Sequence, residues 1–85
     1  YFNDLDTRLA RRLCELAATR GQHGDGGVQV SFPLSQSELA GMLGATRASV
    51  NALLGSYQDA GLLRLGKGSF TVLRPEELRR RAGVE

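Results

Sequence analysis

LSQSELAGMLGATRASVNALLGSY, Leu34 to Tyr57, is the stretch from which the fold is read. Ser35-Gln36-Ser37-Glu38 has the S-x-x-E form of a capping box: the serine hydroxyl takes up a free N–H of the first helical turn, and the glutamate reaches back to the serine's own N–H. Leu39, Met42 and Leu43 follow at helical spacing and form the expected buried stripe of a helix over 36–43. Gly44 stands where the chain has to turn through positive φ. Thr46 is the N-cap candidate for a second helix, 47–59, in which Val50, Leu53, Leu54 and Tyr57 recur at i, i+3, i+4 and i+7. A small residue at Ala40, glycine at Gly44 and a β-branched residue at Val50 suit two helices crossing closely around a tight turn.

Two helices joined in this way make a helix-turn-helix, whose second helix can lie in a DNA major groove. Its outward face here carries Arg47, Ala48, Asn51, Ala52 and Gly55. The Arg47 fork matches guanine O6 and N7, and Asn51 matches adenine N6 and N7; the plainer reading leaves both simply solvated. Ser35 has two compatible roles, as a cap and as a phosphate ligand beside the free N–H groups of a helix start. Gly55 in a helix interior costs about 1 kcal/mol relative to alanine, and either marks close approach of another backbone or is tolerated.

Upstream, residues 4–19 read as an amphipathic helix with Leu5, Leu9, Leu13, Leu16 and Ala17 on one face. Asp4 or Asp6 suits its N-terminus, Asp4/Arg8 and Arg11/Glu15 are i,i+4 pairs, and Gly21 is a C′ candidate. Residues 21–27, GQHGDGG, read as a flexible loop; its His23 is a metal ligand or base on one reading and an exposed loop residue on the other. No second histidine or cysteine pair keeps it company, so no metal site is assigned. Residues 28–32 alternate as a strand that Pro33 stops. Downstream, Gly61 suits the end of the second helix. Strands at 62–65 and 69–73 then flank Gly66-Lys67-Gly68 as a hairpin, a wing whose tip presents Lys67 to phosphate. Pro75, Glu76 and Glu77 open a last helix, 75–81, that the arginines 79–81 close. The expected fold is mainly α with a small antiparallel β-sheet, a winged helix-turn-helix.

The 85 residues make one domain, and an opening at Tyr1 rather than Met reads as a piece of a longer protein. One cysteine, Cys14, excludes an internal disulfide and a cysteine-based zinc site, and fits a reducing, cytoplasmic compartment. No apolar run reaches membrane-span length. Net charge is +2, only mildly basic. Ten of the 11 basic residues are arginine, which suits phosphate and guanine but is as readily the product of a GC-rich genome. With one histidine, and Glu76 and Glu77 explained as helix-start charges, no catalytic constellation forms and the chain reads as a non-enzyme. Within 34–74, Arg47, Arg64, Lys67 and Arg74 exceed Glu38 and Asp59 by only two charges, so a lone copy is expected to bind DNA weakly and to need dimer avidity.

The chain resembles the C-terminal DNA-binding domain of Crp/Fnr-family transcription regulators. LSQSELAGMLGATRASVNALL is similar to the family pattern L-T-Q-x-E-L-A-x-x-L-G-x-[ST]-R-E-[TS]-V-x-R-x-L, and GLLRLGKGSFTVLRPEEL looks like its wing and final helix. The resemblance implies sequence-specific double-stranded DNA binding, with Arg47 as a base reader, Ser49 as a phosphate contact, and Ser35 and Ser37 near the backbone. Ala48 stands where the family has a base-contacting Glu, and Ala52 where it has a second Arg, so the family's usual half-site is not implied. It also implies a parent homodimer with an N-terminal jelly-roll domain that binds an effector, often a cyclic nucleotide; this chain itself is expected to hold no cofactor. The small side chains at Ala48 and Ala52 leave an alternative, a winged-helix module reused for protein–protein contact.

Overall fold

A computed structural model describes residues 4–31 and 35–83. The elements run α1 (Leu5–Arg20), β1 (Gly21–Gly24), β2 (Gly27–Ser31), α2 (Gln36–Leu43), α3 (Arg47–Asp59), β3 (Leu63–Gly66), β4 (Ser69–Val72) and α4 (Pro75–Arg81). The expectations at Tyr1, Phe32, Pro33 and Leu34 lie outside the described residues.

The four strands form one antiparallel sheet in the order β1-β2-β4-β3. The β2–β4 pair sets Val28 opposite Val72 and Val30 opposite Phe70, so two hairpins distant in sequence share one apolar face. That face, with Leu9 and Leu13 of α1, Leu39 and Leu43 of α2, Val50, Leu54 and Tyr57 of α3, and Leu78 of α4, makes a single core.

Residues 21–24 are not the expected loop but the outer strand β1, paired with β2 from Gly21 opposite Val30 to Gly24 opposite Gly27. Nothing in GQHG favours a strand locally; the pairing partner supplies the order. Gly21 does not close α1 as a left-handed cap either, since its φ is −74° and ψ 145°. Its glycine is required for room: a Cβ there would lie 2.2 Å from the Ala17 carbonyl oxygen and 2.4 Å from Val28 Cγ1.

The α1 start is capped by the Asp4 carboxylate, which accepts from the Thr7 N–H at 2.8 Å. The expected Arg11/Glu15 pair gives way to tertiary contacts. Arg11 Nε donates to the Ala82 carbonyl at 2.8 Å and holds the end of α4, while Glu15 pairs with Arg12 at 3.2 Å. Arg8 Nη1 donates to the Leu43 carbonyl at the end of α2, where a cation meets the negative end of the helix. Met42 is not buried but 50 % exposed. At 100° per residue it lies roughly 100° around α2 from the centre of the stripe formed by Leu39, Ala40 and Leu43.

Candidate nucleic-acid interface

The α2–turn–α3 unit is built from local bonds that the sequence spells out. Glu38 N–H donates to Ser35 Oγ and Ser35 N–H to Glu38 Oε1, each at 3.1 Å, so the capping box is complete. Gly44 ends α2 at φ 67°, ψ 34°, the left-handed conformation that a side chain disfavours. The Ala45 N–H then closes on the Ala40 carbonyl at 2.9 Å. Thr46 caps α3: its Oγ1 accepts from the Ser49 N–H at 3.1 Å.

This frame turns α3 so that its two sides differ sharply. Val50, Leu54 and Tyr57 are buried, with Leu53 partly so, while Arg47, Ala48, Asn51 and Ala52 are exposed. Gly55, partly exposed, follows this row, and a Cβ built on it meets no atom within 4 Å, so no backbone among the described residues requires the glycine. Ser35 and Ser37 are exposed at the start of α2, and Ser49 in the first turn of α3. Lys67 is exposed in the turn between β3 and β4.

Two further residues shape this surface, and neither stands out in the sequence as a site residue. Thr46 Oγ1 donates to Ser49 Oγ at 2.9 Å, so the cap also holds the Ser49 hydroxyl at the exposed start of α3. Gln58 Oε1 accepts from the Leu65 N–H at 2.8 Å, joining the end of α3 to the wing. The signal for Thr46 was its role as a cap; Gln58 gave none, because its partner is set by the angle between helix and strand. Arg64, by contrast, extends toward the β1–β2 turn: its Nη2 would lie 3.3 Å from a Cβ on Gly26.

Away from α3, a groove of about 630 Å³ lies between α1, β2, β4 and α4, lined by Cys14, Ala17, Ala18, Val28, Val72 and Leu78. Burial pushes the Cys14 thiol up, the opposite of an activated thiolate. Arg11 and Arg79 also line the groove, and the Arg11 Nε donates to the Ala82 carbonyl. His23 sits at its rim on β1, exposed, and among the described residues no three His, Cys, Asp or Glu side chains gather as metal ligands. No helix among them is long and apolar enough to cross a membrane.

A family model described as the Crp-like helix-turn-helix domain matches residues 7–81. A CRP-like cAMP-activated global transcriptional regulator of Mycobacterium tuberculosis (strain ATCC 25618 / H37Rv) is 36 % identical over 81 residues, covering 95 % of this chain and 36 % of that protein. A global nitrogen regulator of Synechococcus elongatus (PCC 7942) is 31 % identical over 75 residues, 88 % of this chain and 34 % of the relative. The chain thus spans about a third of the length of the curated relatives it matches. Among solved structures, the CO-dependent transcription factor CooA from Carboxydothermus hydrogenoformans superposes with a TM-score of 0.88 at 29 % identity, covering 95 % of this chain and 38 % of that one. A CRP-family transcriptional regulator from Thermus thermophilus superposes with a TM-score of 0.82 at 30 % identity, over 94 % of this chain and 40 % of that one.

Proposed function

This chain belongs to the Crp-like helix-turn-helix family, and we propose that it is the sequence-specific, double-stranded DNA-binding domain of a cytoplasmic transcription regulator. The observation that carries this reading is the two-sided α3: a buried face of Val50, Leu54 and Tyr57 behind an exposed row of Arg47, Ala48, Asn51 and Ala52. In the major groove, Arg47 reads guanine and Asn51 adenine. The Ala48 methyl offers only apolar contact, of the kind a thymine methyl accepts. Ser35, Ser37, Ser49 and Lys67 hold phosphates and fix the register of the helix.

With so few long side chains on the reading face, affinity rests on the phosphate contacts and on pairing two copies across a two-fold site. The effector that switches the longer protein, a cyclic nucleotide or another small molecule, binds outside this chain. The chain acts as a binding module and not as an enzyme, in keeping with relatives that are transcription regulators.

Selection of bound duplexes from a random pool tests the proposal. The wild-type chain should enrich a short motif, and Arg47→Ala should relax one position of it at a cost of roughly 1–3 kcal/mol. If the chain retains no duplex of any sequence even at low salt, the DNA reading fails and protein contact takes its place.

A further inference from the structure

Gln58 lies in the last turn of α3, and Leu65, whose N–H it accepts at 2.8 Å, lies in β3. Two main-chain bonds close the corner between them: Gly61 N–H donates to the Gln58 carbonyl at 3.0 Å, and Leu62 N–H to the Tyr57 carbonyl at 2.9 Å. β3 is an outer strand of the sheet, and an N–H on the free side of such a strand ordinarily turns to water or to another chain. Here it is taken by a side chain of the helix that faces the groove. The chain beyond Leu65 runs through Gly66-Lys67-Gly68, where two glycines leave the lysine little local restraint. Leu65 is therefore the last point before the tip at which the wing is tied to α3.

We infer that Gln58 is a positioning residue for DNA binding: it braces the wing strand against the tail of α3, so that Lys67 meets a phosphate while Arg47 and Asn51 are in the groove. The inference rests on the DNA reading above. Its physical content is pre-organisation: a wing held in place before binding loses less freedom when the lysine engages.

The variant Gln58→Met keeps side-chain length and helix propensity and removes the acceptor. Gln58→Glu keeps the acceptor. Two readouts are used on the 85-residue chain: amide exchange at Leu65 by NMR, and the salt dependence of binding to a random duplex by fluorescence anisotropy. In Gln58→Met, the Leu65 amide should exchange severalfold faster with the melting temperature little changed, and Gln58→Glu should restore its protection. The slope of log K against log salt should shrink by about one on Lys67→Ala, by a similar amount on Gln58→Met, and no further when the two are combined.

The brace is overturned if Leu65 exchange is unaltered in Gln58→Met, if Lys67→Ala leaves the wild-type slope unchanged, or if Lys67→Ala still removes about one unit of slope in the Gln58→Met background. Wild-type chain that retains no duplex at low salt removes the DNA reading and this inference together. That result is visible in the wild type alone, before any variant is made.

Discussion

The Tyr57 hydroxyl donates to the main-chain carbonyl of Asp6 at 2.9 Å, across 51 residues, with the Asp6 carboxylate as a second acceptor. This bond ties the tail of α3 to the head of α1, and the Arg81 guanidinium stacks over the same ring at 5.5 Å from its centroid. Three helices thus meet on one phenol. The orientation of the reading helix is held from behind by a polar bond as well as by apolar packing.

Tyr57→Phe should lower stability near neutral pH by about 0.5–1.5 kcal/mol, because the ring still packs and only the hydroxyl bonds are lost. Burial, followed by the hydrogen bond to Asp6 and that carboxylate's charge, raises the Tyr57 phenol above its ordinary 10.0. A group that holds its proton more tightly when folded contributes stability below its unfolded pKa and loses it as pH climbs above. Denaturant melts should therefore show wild-type stability declining above pH 10, with a shallower decline in Tyr57→Phe. Parallel curves for the two proteins would mean that the phenol does not report this linkage.

Gly21→Ala should destabilise by about 1–3 kcal/mol, as an overpacking change with no flexible atom to yield on the backbone side. The added methyl would face the Ala17 carbonyl oxygen at 2.2 Å and Val28 Cγ1 at 2.4 Å. Thermal melts of the purified variant check this; an unchanged midpoint would show that the α1–β1 junction relaxes freely.

Gly55→Ala and Gly41→Ala should act in the opposite direction, each raising stability by about 0.5–1 kcal/mol. Both glycines are in helices, and an added Cβ meets nothing within 4 Å at either. Gly55 also reports on docking. If the DNA comes close to the exposed row of α3, Gly55→Ala will weaken binding while it stabilises the fold, whereas Gly41→Ala will only stabilise.

Ser35→Ala should cost about 1 kcal/mol through the lost cap. Ser35→Asp separates the two roles of the residue, since aspartate caps as well as serine but repels phosphate. Stability should be kept and duplex affinity should fall. Affinity equal to wild type in Ser35→Asp would take Ser35 out of the phosphate-binding set.

The α2–turn–α3 unit was legible because its determinants are local. The helices Gln36–Leu43 and Arg47–Asp59 have the bounds expected from Ser35, Gly44 and Thr46, and α4 those expected from Pro75. The wing strands fall within one residue of expectation, shifted because Leu62 lies just before β3, although its carbonyl accepts from the Leu73 N–H at 2.8 Å. What was not legible depends on partners remote in sequence. β1 is a strand only because β2 lies beside it, Arg11 prefers the Ala82 carbonyl to Glu15, and Gln58 finds Leu65 only once the corner is folded. Met42 shows the limit of counting periodicity in a helix of eight residues, where a position at the margin of the stripe can fall on either side.

The separation of duties along α3 has a consequence for retargeting. Positions 47, 48, 51 and 52 are exposed, while the core is filled by other residues of the same helix. Two of the four are already alanine, so their replacement adds side chain to empty space and removes no packing. The domain is in this sense a chassis with vacant slots: libraries at Ala48 and Ala52 should yield readers of altered operators at little cost to folding, with Thr46, Gln58 and Tyr57 left as the fixed frame.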